Sequence, residues 1–302
     1  MDGILLIDKP AGISSADVVR QIKRRAGVKV GHLGTLDPFA TGVLPLCLGE
    51  ATKIAQFLNT ADKRYEGVIQ LGWATDTGDR TGTPGPTVPV PDLATVDLAE
   101  LARRFIGEQW QTPPMYSALK RDGVPLYRLA RLGIEVERSA RPVRIDHLML
   151  QPDGSARLRF VVACSKGTYI RVLGEEIGAA LDSAAHLDAL RRISFGSFDI
   201  AGARSIEDWS PDAPAGFVAL RQALAHLPTV TLDAKAAEGA RQGKIWVLRT
   251  VAPGPGDAAV LLDPNGEVVA VLVRKESDWA YGRVLSGKTS FTSNDSCVSH
   301  DG

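Results

Sequence analysis

Apolar and polar positions change their spacing several times along the chain, and each change marks an element. Gly3 to Ile7 is a short apolar run ending in Asp8-Lys9-Pro10, the pattern of a buried strand entering a turn. Ser14, with Asp17 three residues on, is placed to cap a helix whose Val18, Val19 and Ile22 share one face, and Gly27 is a natural stop. A Gly-rich segment, Gly31 to Gly49, follows. Ala51 to Leu58 reads as a helix through Ile54, Ala55 and Leu58, and Lys63 to Leu71 as a strand. Ala74 to Pro91 is dense in Thr, Gly and Pro, which predicts a loop free to move. Leu98, Leu101, Ala102 and Phe105 mark a further amphipathic helix.

From Gln111 to Arg141 the periodicity is weak. Pro113-Pro114 and a short helical piece at Leu126 to Leu132 suggest an excursion from a main sheet. Arg157 to Cys164 alternates, with Leu158, Phe160, Val162 and Cys164 on one side, and runs into Ser165-Lys166-Gly167-Thr168-Tyr169-Ile170-Arg171. Ile170, Leu173 and Ile177 then follow helix spacing. After about His226 the composition shifts to short β-prone pieces, Ala258 to Leu262 and Val268 to Val273, joined by the turn Asp263-Pro264-Asn265-Gly266. The chain therefore divides into residues 1–227, with an excursion at 111–141, a small β domain at 228–286, and a polar tail at 287–302 expected to be disordered.

Composition narrows the class. The 302 residues are 44% hydrophobic and 23% charged, as in a globular protein with a real core. No apolar run is long enough to cross a bilayer, and the start MDGILLIDKP lacks the basic opening of a signal peptide. Cys47, Cys164 and Cys297 are far apart and never in a CxxC, which excludes a disulfide framework or zinc site and fits a reducing cytoplasm. The 35 basic residues balance 35 acidic ones, which by itself argues against a nucleic-acid partner. The distribution argues the other way: Lys23, Arg24, Arg25 and Lys29 cluster, and Lys120, Arg121, Arg128, Arg131, Arg138, Arg141 and Arg144 dominate one central stretch.

The strongest candidate for chemistry is Gly31-His32-Leu33-Gly34-Thr35-Leu36-Asp37-Pro38-Phe39-Ala40-Thr41-Gly42-Val43-Leu44-Pro45. Gly31, Gly34 and Gly42 allow close backbone approach or positive φ, and Pro38 pushes Asp37 out of helical geometry. A carboxylate on so stiff a loop suits a nucleophile or general base, though loop Asp residues also serve simply as turn caps. Arg171, read alone, fits a pair with Glu175 one turn later.

GHLGTLDPFATGVLP resembles the signature of the TruB family of tRNA pseudouridine synthases, in which an aspartate stands in a Gly-x-Leu-Asp context. GILLIDKPAG (3–12), Lys63-Arg64-Tyr65, Pro114 to Lys120, CSKGTYIR (164–171) and Leu190-Arg191-Arg192 resemble further family blocks, in the family's order, across roughly residues 3 to 195. The resemblance implies an α+β fold: a pseudouridine synthase domain with a central mixed, largely antiparallel sheet flanked by helices, then a small PUA-like β domain. It implies isomerisation of uridine 55 in the T-loop of tRNA, without cofactor or metal, by a cytoplasmic monomer that grips the T-stem-loop with its excursion and Lys120. Asp37 would be the nucleophile, and Arg171 would pair with it and orient it. Tyr65 would stack beneath the flipped uracil and assist proton removal, while Tyr169 and Leu190 line the pocket. His32 would hold the RNA loop open, and Lys9 and Pro10 would support the floor of the site. A buried base must leave its stack before chemistry, and aromatic faces hold it once out.

Gly282 to Thr289 also fits the pattern of a triphosphate-binding loop, but that loop requires a following helix in an α/β domain, and the residues that follow, Ser290 to Gly302, are mostly polar. The pattern is expected to be coincidental. His147, His186, His226 and His300 show no metal-ligand spacing.

Overall fold

The computed structural model describes residues 1–58, 61–212 and 215–286. In chain order the strands are β1 (Gly3–Lys9), β2 (Val30–His32), β3 (Thr41–Leu48), β4 (Lys63–Leu71), β5 (Gly107–Gln111), β6 (Lys120–Arg121), β7 (Val124–Pro125), β8 (Arg141–Pro152), β9 (Arg157–Cys164), β10 (Ala185–Phe195), β11 (Phe198–Asp199), β12 (Phe217–Ala219), β13 (Thr229–Thr231), β14 (Ala258–Leu262), β15 (Val268–Lys275) and β16 (Asp278–Val284). The helices are α1 (Ser15–Ala26), α2 (Ala51–Leu58), α3 (Leu98–Arg103), α4 (Leu126–Arg131), α5 (Ile170–Ala179), α6 (Leu220–Ala223), α7 (Ala234–Arg241) and α8 (Ile245–Leu248).

The main sheet runs β12-β1-β3-β10-β4-β9-β8-β5, with β2 added on β3 and β11 on β10. Every pairing in it is antiparallel except β3 with β10, so the sheet is mixed and largely antiparallel, and the fold is α+β as expected. That one parallel contact decides the geometry of the site. It sets Thr41 and Gly42, where the chain leaves the Asp37 loop, beside Arg191 and Arg192.

The apolar runs of β1 and β3 do not alternate with polar residues because both faces are covered. Leu5 and Ile7 of β1 join one core cluster with Val18 and Ile22 of α1, Leu98 and Leu101 of α3, and Leu173 and Ile177 of α5. Ile4 and Leu6 point the other way, into a second cluster with Ile54 and Leu58 of α2. That second cluster also takes in Val260 and Leu262 of β14 and Val268 and Val271 of β15, so the smaller sheet, ordered β13-β14-β15-β16, packs on the back of the larger one. Its other side, Leu261, Val269 and Leu272, closes over α7 and α8.

Several local expectations hold for local reasons. Ser14 and Asp17 form a reciprocal capping box, and Gly27 ends α1 in the left-handed region at φ 65°. Others are corrected. The Gly-rich segment Gly31 to Gly49, given no element from sequence, overlaps β2 and contains β3, and Gly31 sits in extended β2 with open space where a Cβ would be. β10, a central strand, escaped the periodicity reading because irregularities at Leu187/Ala189 and Arg192/Ser194 break its alternation. The Thr/Gly loop is pinned rather than loose: the Asp79 carboxylate, 5% exposed, accepts from Thr77 Oγ1, Thr81 N and Thr81 Oγ1 at 3.1, 2.9 and 2.6 Å. Gly282 to Val284 lie in β16, so the triphosphate-like pattern begins in a strand. The rest of that pattern from Gly287, and the polar tail, fall outside the described residues.

Candidate active site

Asp37 is held by its neighbours' backbone. Ser15 Oγ, buried in the first turn of α1, donates to the carbonyl of Leu36 at 3.0 Å and accepts from its N–H at 2.9 Å. The N–H of Gly12 donates to the carbonyl of Pro38 at 2.8 Å. Lys9, fully buried, extends Nζ to the carbonyls of Pro10 and Ile13 at 2.8 Å each and of Pro38 at 3.3 Å. Two glycines are needed, one on each side of Asp37. Gly34 takes φ 61°, and a Cβ there would meet the Phe195 ring at 2.6 Å; Gly42 takes φ 108°, and a Cβ there would lie 2.2 Å from the Arg192 carbonyl.

The guanidinium of Arg171, 4% exposed at the start of α5, ties three separate segments together. Nε donates to Asp37 Oδ2 at 2.8 Å, Nη1 to the carbonyl of Thr77 at 2.7 Å, and Nη2 to the carbonyl of Tyr116 at 2.7 Å. Its partner is thus Asp37, not Glu175. The planar fork carries donors on three separate nitrogens to acceptors that stand apart, whereas an ammonium presents all its donors from one nitrogen. Gln111, buried at the end of β5, holds the backbone just before Arg171: its Oε1 accepts from Tyr169 N at 2.9 Å.

Asp37 and Arg171 open onto a cavity of about 380 Å³ whose other walls include Lys63, Tyr65, Tyr169, Leu190 and Arg192. A larger cleft, about 570 Å³, lies over Glu66, Val68 and Met149, on the opposite face of the sheet from Tyr65, and shares only Leu190 with it. Burial pushes the Asp37 carboxyl above its ordinary value; Arg171 draws it back, Asp79 pushes it up and Lys9 draws it down. Burial likewise lowers Lys9 to about 8, against the pull of Asp37, and lowers Lys63 to about 8. Tyr65 and Tyr169 are raised, both chiefly by burial.

The family description "TruB family pseudouridylate synthase (N terminal domain)" matches residues 20–170, a span that contains Asp37, Tyr65 and Tyr169. This chain belongs to the TruB family. It is 45% identical over 236 residues, 78% of each chain, to "tRNA pseudouridine synthase B" of Hydrogenovibrio crunogenus. It is 46% identical over 276 residues, 90% of each chain, to the protein of the same name from an Azoarcus species. Among solved structures it resembles a chain in "Crystal Structure of a Cbf5-Nop10-Gar1 Complex", with TM-score 0.69 and 25% identity over 94% of this chain and 84% of that one. A chain in "Structure of H/ACA RNP bound to a substrate RNA containing 2'-deoxyuridine" shares the fold at TM-score 0.66 and 23% identity, covering 90% and 77%.

Of the residues singled out from the sequence, this TruB-family chain brings Asp37, Tyr65, Tyr169, Leu190 and Arg171 to one cavity. Lys9 lies beneath them. The others stand apart: Pro10 is exposed and contributes its carbonyl to Lys9, and Lys120 is exposed on β6 while its neighbours Ser117 to Leu119 line the cavity. His32 is half-buried on β2, with Nδ1 buried and unpartnered, and burial lowers its pKa. Sequence reading missed Asp79 and the separate fates of Arg191 and Arg192. Arg191 pairs with Asp8 at 2.7 Å near the surface, whereas Arg192, one residue on, enters the core. The signal for Asp79 was local: flanking threonines that can cap its carboxylate. Among the described residues, no group of three or more His, Cys, Asp or Glu is placed to hold a metal, and no helix is long and apolar enough to cross a membrane.

Proposed function

We propose that this chain isomerises uridine 55 in the T-loop of tRNA to pseudouridine, with Asp37 as nucleophile and the target base flipped into the Asp37 cavity. One observation carries the reading: a single carboxylate, held at 2.8 Å by a buried guanidinium, faces a cavity whose walls include Tyr65, Tyr169 and Leu190. A carboxylate nucleophile splits glycosidic cleavage from re-attachment, so the base can turn without leaving the site. Tyr65 stacks under the extruded ring and takes its C5 proton, while Tyr169 and Leu190 bound the ring's edges. His32 fills the space the base vacates in the RNA loop, and Lys9 and Pro10 brace the Asp37 loop from below. The excursion between β5 and β8, with Lys120 exposed on it, grips the T-stem-loop, and the smaller sheet adds RNA contacts. The names of the relatives support tRNA as the substrate.

The test is direct. The protein is incubated with an unmodified tRNA transcript, with the same transcript carrying cytidine at the target, and with free uridine. Pseudouridine at the single T-loop position in the first arm alone is the expected result, and its absence from Asp37→Asn completes it. Binding without modification by the parent protein would overturn the enzymatic reading in favour of a non-catalytic RNA-binding role; turnover of free uridine would overturn the macromolecular substrate.

A further inference from the structure

Arg192 is a charged side chain with no exposed surface and an incomplete set of partners. Its Nε donates to the carbonyl of Val43 and its Nη2 to that of Gly34, each at 2.9 Å. Nη1 is buried without an acceptor. Leaving a guanidinium N–H unpaired in the interior is destabilising, and a donor left open on the wall of the Asp37 cavity is placed to receive a partner there. The fold is shaped around it: a Cβ on Gly34 would stand 3.2 Å from Nη1, and one on Gly42 would collide with the Arg192 backbone.

The group beside it is Tyr65. Arg192 on β10 and Tyr65 on β4 are direct cross-strand partners, so their side chains leave the sheet on the same face. Both reach the cavity that holds Asp37. Burial raises the Tyr65 phenol, and the Arg192 charge is the largest influence drawing it back. In return, the Tyr65 oxygen lies close enough to raise the Arg192 pKa against the lowering effect of burial.

We propose that Arg192 is a positioning residue for proton removal: its unpaired Nη1–H groups receive the Tyr65 oxygen as a phenolate, and so let Tyr65 act as the base that takes the C5 proton. The inference rests on the role given to Tyr65 above. The step balances as follows. Tyr65 first releases its hydroxyl proton to water in the cavity. Once uracil is joined to the sugar through C5, the phenolate oxygen bonds to the C5 hydrogen, the C5–H bond breaks, and its electron pair restores the C5–C6 double bond. N1, freed from the sugar, takes a proton from water, so the isomerisation neither gains nor loses a proton.

The experiment is single-turnover kinetics on a T-loop RNA whose target uridine carries hydrogen or deuterium at C5. The proteins are the parent, Tyr65→Phe, Arg192→Met and Arg192→Lys. The C5 isotope effect is a ratio within one preparation, so a variant that is partly unfolded still reports its chemistry. Arg192→Met should slow turnover about a hundredfold, the lower end of what a positioned proton acceptor contributes, with a larger isotope effect than the parent. Its rate should also recover at a higher pH than the parent's, because the phenol ionises later without the charge. Arg192→Lys, which keeps the charge, should be less impaired in both. A raised isotope effect in Tyr65→Phe with none in Arg192→Met would overturn the role of Arg192 alone and leave it bracing Gly34 and Val43. An unraised effect in both variants would overturn Tyr65 as the base, and the inference with it.

Discussion

Arg171→Ala removes a guanidinium that bridges the Asp37 loop, the Thr/Gly loop at Thr77 and the excursion at Tyr116. Hydrogen bonds from a charged donor contribute roughly 1.5–3 kcal/mol each. Asp37 retains 33% side-chain exposure, so cavity water re-solvates its carboxylate, and that water also reaches the two carbonyls in part. The expected loss is therefore about 3–5 kcal/mol, the range for breaking a buried pair from one side, rather than the full sum. Asp37→Asn should behave differently. Its carboxyl is raised in the folded protein, so folding binds a proton more tightly there, and that contribution to stability fades as pH rises through the raised value. At neutral pH the neutral amide should leave the fold as stable or slightly more so. In the double variant only one of the three Arg171 bonds is shared with Asp37, which limits the coupling to about 1–2 kcal/mol. Denaturant midpoints and single-turnover rates on T-loop RNA for the four proteins decide the matter. Asp37→Asn should bind RNA with no turnover, and Arg171→Lys should fail badly because a single nitrogen cannot replace three that each reach a different segment. The parent's rate should fall with acid at a pH above the ordinary carboxylate range. Strictly additive midpoints would refute the pair, and substantial turnover by Asp37→Asn would sink the nucleophile.

RNA affinity should fall steeply with salt, and replacing the exposed Lys120, Arg121 and Arg128 by Ala should reduce the log–log slope by roughly 2–3, as for three lost phosphate contacts; an unchanged slope would remove the excursion from the RNA interface. Deleting residues from Thr229 onward uncovers the cluster shared by Ile4, Leu6, Leu58 and Val260, so the denaturant midpoint should drop and RNA binding weaken. Slow modification at the correct position should persist at saturating RNA, since the Asp37 cavity is lined from before Ile193; a folded but inactive truncation contradicts this division. Activity should survive EDTA, need no nucleotide and tolerate Lys288→Ala, which metal-restored activity or a Lys288 defect would disprove.

What the sequence alone determined is what neighbours a few residues apart decide. The capping box of α1 and the Gly27 stop are made by side chains and backbone within one or two turns, so their residues name the structure directly. The ordered motif blocks likewise mark Asp37, Tyr65, Tyr169, Leu190 and Arg171. Tertiary structure decided which of them meet. Arg171 is 134 residues from Asp37 and four from Glu175, and only the packing of α5 against the Asp37 loop turns the guanidinium to the former. Runs buried on both faces hide their period, which is why β3 was legible as a segment but not as a strand. The irregularities in β10 erase its alternation and with it the difference between Arg191, paired with Asp8 near the surface, and Arg192, buried against Tyr65. Identical side chains in adjacent positions carry no local mark of which will be buried. The register of β10 between β3 and β4, set by contacts more than a hundred residues away in sequence, makes that choice.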